Sequence, residues 1–128
     1  MKLSDLLELL DGELFTKGNE EYDKEILYAF SCDLMSDALM LLRNANIDVC
    51  EKGILVTGLV TTQGVRTAEM LDIPIVLLVR GKKPNELVIS EAEKSNIIMI
   101  GTQLTMYTAN GKMYLNGIKG TDQYNEEQ

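Results

Sequence analysis

The chain has no histidine and no tryptophan, and only two prolines and two cysteines among its 128 residues. Each scarcity excludes a class of chemistry. Without histidine there is no Ser-His-Asp or Cys-His nucleophilic centre, no His-based zinc site and no imidazole to act as acid or base near neutral pH. An enzyme built on this chain would have to work with carboxylates, Lys, Tyr or a bound metal. Cys32 and Cys50 lack the close spacing of metal-binding pairs, and a domain this size has enough core to fold without a disulfide, so reduced thiols are expected. Positive charge is also scarce. Lys and Arg number 12 against 20 Asp and Glu, a net charge of −8 with a pI near 4.5. That balance does not suit a general binder of nucleic acid or anionic membrane, both of which need Lys and Arg against phosphates. No apolar run approaches the ~20 residues that span a bilayer, and the amino-terminal stretch carries acidic residues where a signal peptide has an apolar block. The expectation is a cytoplasmic protein with no nucleic-acid or membrane partner.

The segments that remain read as one α/β domain. Leu3, Leu6, Leu7 and Leu10 repeat at the spacing of one helical face, with Ser4 as the expected N-cap and Gly12 as the stop. A brief extended stretch follows at 13–16, then a polar loop over 17–24 and a strand over 25–31 rich in Ile, Leu, Tyr and Phe. Asp33 is placed to cap a helix running to Arg43, with Leu34, Ala38, Leu41 and Leu42 on its inner face and Asn44 at its exit. Residues 54–57, 74–79 and 97–100 are short, almost wholly apolar runs, the pattern of strands buried on both faces. Helices are expected between them over 63–71 and 84–95, the second with Pro84 at its first position. A last helix is expected over 103–109, ended by Asn110 and Gly111. This order predicts a three-layer-like domain over 1–115: a mainly parallel central sheet flanked by helices and linked by right-handed crossovers. A polar, poorly ordered tail is expected over 116–128.

In such a fold, ligands sit beyond the carboxyl ends of the parallel strands, near helix N-termini that favour anions. Those ends carry Thr57 and Gly58; Arg80, Gly81, Lys82 and Lys83; and Gly101 and Thr102, with Thr61, Gln63 and Arg66 just beyond the first. Together they supply hydroxyls, approachable backbone and positive charge in an otherwise acidic chain, which suits a phosphate or nucleotide. An ordinary reading stands beside it, in which Gly and Thr serve the turns and Lys82, Lys83 and Arg66 are solvated. Asp33 and Asp37, four apart on a helix, can be read as a metal pair or as a cap and a surface charge; two oxygens are few for a hard cation, and no metal site is expected. Met35, Met40, Met70, Met99 and Met106 lie among apolar neighbours and read as core filling. Cys32, at a helix start beside Asp33, is open to a lowered thiol pKa, although the carboxylate and burial oppose it.

Three segments resemble a known family. SCDLMSDALM (31–40), VLLVRGKKPNEL (76–87) and NIIMIGTQLTMY (96–107) are similar to stretches of small DRTGG-domain proteins, which resemble the amino-terminal domain of HPr kinase/phosphorylase. The element that names the family is reduced here to Val79, Arg80 and Gly81. The resemblance implies an accessory domain of the kind found beside catalytic or nucleotide-sensing modules, and a homodimer. The kinase machinery itself is missing: no phosphate-binding loop of the form Gly, four residues, Gly-Lys-Ser/Thr is present, since the Gly111-Lys112 pair is followed by Met113 and lacks the leading Gly. No three-glycine dinucleotide fingerprint follows a strand either, and no cofactor is expected. The chain therefore reads as a non-catalytic regulatory or binding module for an anionic small molecule, a nucleotide among them, or for a protein partner such as a kinase or metabolic enzyme. The alternative is a small metal-dependent enzyme acting on phosphate, using Arg80, Lys82 and a carboxylate.

Overall fold

The structure, a computed structural model, describes residues 1–42 and 47–120. Five strands form one sheet: β1 (Glu13–Leu14), β2 (Tyr28–Ser31), β3 (Gly53–Thr57), β4 (Ile75–Leu78) and β5 (Ile98–Gly101), in the order β1-β5-β4-β3-β2. β2 to β5 are parallel neighbours in sequence order, and β1 closes the β5 edge antiparallel. Between them run α1 (Leu3–Leu10), α2 (Met35–Leu42), α3 (Ile47–Glu51), α4 (Thr62–Met70), α5 (Glu86–Lys94) and α6 (Met106–Leu115). None of these helices is long and apolar enough to cross a membrane.

The apolar runs are continuous because both sheet faces are covered. Successive strand residues point to opposite faces. Leu55, Val76, Leu78 and Met99 pack under Ala38, Leu42, Val65, Ala68, Val88 and Ala92 of α2, α4 and α5. Ile54, Val56, Ile75, Leu77, Ile98 and Ile100 pack under Leu3, Leu6, Leu10, Ala109 and Met113 of α1 and α6. Each crossover from β2 to β5 steps one strand the same way, and a right-handed connection then sets its helix on the same face. β5 alone sends its connection, α6, to the other side. The expected three-layer α/β domain is what the chain forms.

Several details differ from the sequence expectation. α1 begins before Ser4, because burying Leu3 requires one more helical position; Lys2 is its N-cap, and the Lys2 N–H donates to the Asp5 carboxylate at 3.2 Å. Asp11, at φ 49°, takes the left-handed exit assigned to Gly12. α5 starts after Pro84, with the Asn85 side chain accepting from the Val88 N–H at 3.0 Å. α6 runs through Asn110 and Gly111 to Leu115, since Met113 continues the buried stripe begun by Ala109. α3 was not foreseen. Leu34 is exposed and Met35 takes its place in the core. Met99 is also buried, but Met40 and Met70 are solvent-facing, so core filling does not explain them. Residues 116–120 belong to the fold rather than to a tail: Ile118 is buried, and Lys119 bridges to Tyr28 in parallel along the β2 edge. Arg43, Asn44 and residues 121–128 lie outside the described residues.

Candidate functional site

The carboxyl ends of β2 to β5 emerge on one edge of the sheet, and the turns that follow them carry the sequence-predicted residues. β4 leads to α5 on one face and β5 to α6 on the other, so the two connections part between these strands. That divergence is where open α/β sheets form a ligand crevice. Here the crevice is sealed. The Arg80 N–H donates to the Leu104 carbonyl at 2.7 Å and the Gly81 N–H to the Thr102 carbonyl at 2.9 Å, stitching the two turns together. The residual cavity beside Gly81, Gly101 and Gln103 is about 50 Å³ and is bordered by Asp11 and Glu13 as well as Lys82 and Lys83. It has room for water, not for a nucleotide.

Most backbone donors that an anion would need in this half are already used. Thr102 is buried; its hydroxyl donates to the Leu10 carbonyl at 2.7 Å and accepts from the Leu104 N–H at 3.2 Å, tying the end of β5 to the end of α1. Gly101 is glycine because a Cβ there would come within 2.6 Å of the Phe15 ring. Gly81 has φ +70° with the Gln103 side chain against it. These three residues have structural roles that account for them. Lys83 reaches Glu13 at 3.8 Å, while Lys82 makes no side-chain hydrogen bond or ion pair with the described residues.

The β3–β4 half is organised differently. Thr57 is buried; its hydroxyl donates to Asp33 Oδ1 at 3.3 Å and accepts from the Leu59 N–H at 3.1 Å. Asp33 does not cap α2. Its carboxylate crosses from β2 to accept the Gly58 N–H at 2.7 Å, so it locks the turn after β3. Replacing Asp33 with Ala removes the Oδ1 that accepts both bonds, and a loss of about 1 kcal/mol in urea unfolding is expected, since hydrogen bonds to charged groups contribute most when shielded and Asp33 is exposed. Asp33→Asn, which keeps one acceptor oxygen, should lose less than half of that.

Arg80 stands out on this side. Among the described residues four other than glycine have positive φ: Asp11, Asp72, Arg80 and Asn96. Asp11, Asp72 and Asn96 follow helices, where a left-handed exit is normal and Asp and Asn tolerate it. Arg80 follows a strand, at φ 61°, and is the sort of residue that adopts this conformation at a cost of about 1 kcal/mol. With Gly81 it forms the centre of a tight turn closed by the Lys82 N–H to the Val79 carbonyl at 3.2 Å, and positive φ at both central positions is the mark of a mirror-image type I′ turn. The turn throws the Arg80 side chain back across β3. Its guanidinium lies over Gly58, so close that a Cβ at that position would sit 2.5 Å from one of its nitrogens. Among the described residues no carboxylate lies within ion-pair reach of it. Beyond Gly58 the chain enters α4, whose N-cap Thr61 makes no side-chain capping bond. Thr61, Gln63 and Arg66 are all exposed there. Sequence reasoning placed these residues together but missed Asp33 as part of the turn, although an acidic residue directly after β2 has its nearest neighbour at the end of β3.

Other features compete less well. An opening of about 580 Å³ is at the opposite ends of the strands. Its border includes Glu25, Asp48, Glu51 and Asp72 against Lys24 and Lys52, a lining that repels anions. Burial, then Asp23 and Glu51, raises the Tyr22 hydroxyl there above its ordinary value. The Cys32 thiol is raised, by burial first and then by Asp37 and Asp33, the two opposing effects named from the sequence, and it stays protonated and unreactive near neutral pH. Cys50 is buried and raised likewise, chiefly by burial. Among the described residues no three potential metal ligands of the His, Cys, Asp and Glu types are gathered.

With the geometry in place, comparison with known proteins gives the class of fold. No family model matches the sequence, and no curated protein matches it. Among solved structures the chain is similar to the CBS and DRTGG domains of the regulatory region of Clostridium perfringens pyrophosphatase, complexed with its activator diadenosine tetraphosphate. The TM-score is 0.65 at 21% identity, over 88% of this chain and 45% of that one. This chain therefore spans less than half the length of that solved regulatory region, and what they share is a CBS/DRTGG-like α/β fold.

Proposed function

We propose that the chain is a regulatory ligand-binding module that takes a phosphate-bearing small molecule, nucleoside polyphosphates foremost, at the carboxyl ends of β3 and β4. The observation that carries this reading is Arg80: a strained residue in a strand-end turn, with its guanidinium laid on Gly58 and no carboxylate in reach. A planar fork of five donors is suited to phosphate oxygens. Arg66 and the first turn of α4 stand on the same side of the sheet edge, and glycine at position 58 gives the guanidinium room to lie against the backbone. Support from outside the chain is the neighbouring fold, a regulatory region bound to a dinucleoside polyphosphate, together with the sequence resemblance to accessory domains similar to that of HPr kinase/phosphorylase. On this reading the module works in the cytoplasm without chemistry of its own, and its output is a change in a protein partner.

A thermal-shift screen against ATP, diadenosine tetraphosphate, inorganic phosphate and divalent metals tests the reading. A ligand at ~100 times its dissociation constant stabilises the folded state by about 2.7 kcal/mol, several degrees in Tm. The expected result is a shift with the polyphosphates that weakens as salt is added. Turnover of any of them with Mg²⁺ would count against a non-catalytic module.

A further inference from the structure

Helix α6 buries Ala109 and Met113 against the sheet, yet its other side is also apolar. Tyr107 is 88% exposed, Tyr114 61% and Leu115 85%. With Gly111 they fall at i, i+4, i+7 and i+8, one face of the helix. Gly111 is in the helix interior, where glycine is among the least favoured residues, and its own fold does not require it: a Cβ there would meet nothing within 4 Å. The result is a notch between large apolar side chains, over a shallow groove of about 560 Å³.

The charge pattern is as selective. The chain has 20 Asp and Glu, but residues 94–120 contain none, and α6 carries Lys112 as its only charge. Helix α1, packed beside α6, exposes Asp5, Glu8 and Asp11. Two molecules of net charge −8 repel unless they meet through a surface without carboxylates, and the outer face of α6 is such a surface. Three large, mostly exposed side chains put roughly 400–500 Å² of it into contact per copy, over half of the ~800 Å² per partner of a standard interface, before the flanking residues are added.

We infer that the outer face of α6 is a homodimer interface, in which two α6 helices cross antiparallel at Gly111 about a two-fold axis. The notch of each copy admits the other helix closely, Tyr107 of each packs toward Leu115 of its twin, and Lys112 points toward the acidic exposed side of the opposite α1. A two-fold contact of this kind is self-complementary by construction. Because the contact is apolar and the bodies repel, salt should tighten the dimer rather than loosen it.

Sedimentation equilibrium on the full chain over a range of concentrations, at two salt levels, tests this. The parent is expected to be a dimer. Tyr107→Glu and Leu115→Glu each raise the dissociation constant at least about 30-fold, the effect of losing one central anchor. Both sites are exposed, so far-UV circular dichroism should be unchanged. Gly111→Cys in a Cys32→Ser/Cys50→Ser background should form a covalent dimer under mild oxidation, whereas Glu20→Cys, off the helix, should not. A parent that is monomeric throughout, or a dimer unaffected by both glutamate variants and not cross-linked through position 111, overturns the inference. None of these outcomes depends on ligand binding at Arg80.

Discussion

Arg80→Gly is expected to abolish stabilisation by nucleoside polyphosphates and yet to leave the unliganded protein as stable as the parent, or more stable by up to about 1 kcal/mol. Two effects set the second half of that result. Glycine accepts φ 61° without the Cβ clash that arginine carries there. Against this, glycine gives the unfolded chain more freedom, which takes back part of the gain. The lost side chain makes no hydrogen bond or ion pair with the described residues, so nothing else in the fold depends on it. Arg80→Ala keeps the backbone strain and should lose the ligand response without the gain. Gly58→Ala provides an independent route to the same loss, because the new methyl group would occupy the space of the guanidinium nitrogen 2.5 Å away. That nitrogen ends a flexible, exposed side chain, so the stability cost should be small. Thermal melts with and without ATP or diadenosine tetraphosphate read all three variants. A substitution that raises stability while removing response is the signature of a residue kept for binding.

Gly53→Val is expected to cost about 2–3 kcal/mol, the range for overpacking a filled core, and to lower Tm by roughly 6–12 °C. A Cβ at position 53 would lie 2.6 Å from the Phe30 ring and 3.2 Å from the Cys50 carbonyl oxygen. Unlike the Arg80 side chain, the Phe30 ring cannot swing away: it is 2% exposed and packed with Met35, Ala38 and Cys50. Gly64→Ala is the control of opposite sign. It lies in α4, and its nearest neighbours to a new Cβ are at 3.7 and 4.0 Å, ordinary contact distances. With room for the methyl group and a better helix former, stability should stay level or rise by up to about 1 kcal/mol. Thermal or urea unfolding of the two variants separates a glycine required by packing from one that is not.

The sheet was legible because its strands are buried on both faces. Residues 54–56, 75–78 and 97–100 are wholly apolar, with no position to accommodate solvent, and such runs admit few other readings in a chain of this length. Helix ends were less legible because tertiary burial overrode local signals. Leu3 drew α1 past Ser4, and Met113 drew α6 past the Asn110-Gly111 stop, since a helix with a buried stripe to complete tolerates poor formers within it. Asp33 was misjudged for a related reason. A carboxylate just before a helix has two sets of backbone donors within reach, and only the parallel pairing of β2 with β3 decides that it serves Gly58 rather than α2. At the candidate site, the residue types were readable but their partners were not. Nothing in the sequence separates Gly101 and Thr102, which hold the fold together, from Gly58 and Arg80, which face solvent across a turn. Zipping of the turns after β4 and β5 made that division.

Amide chemical-shift mapping of the full chain with diadenosine tetraphosphate locates the ligand on the sheet edge. The predicted result is saturable shifts at Gly58, Thr61, Gln63, Arg66 and Arg80, with Lys24, Lys52 and Asn96 at the opposite end of the sheet unmoved. Shifts confined to that opposite end, or none at millimolar ligand, would contradict it.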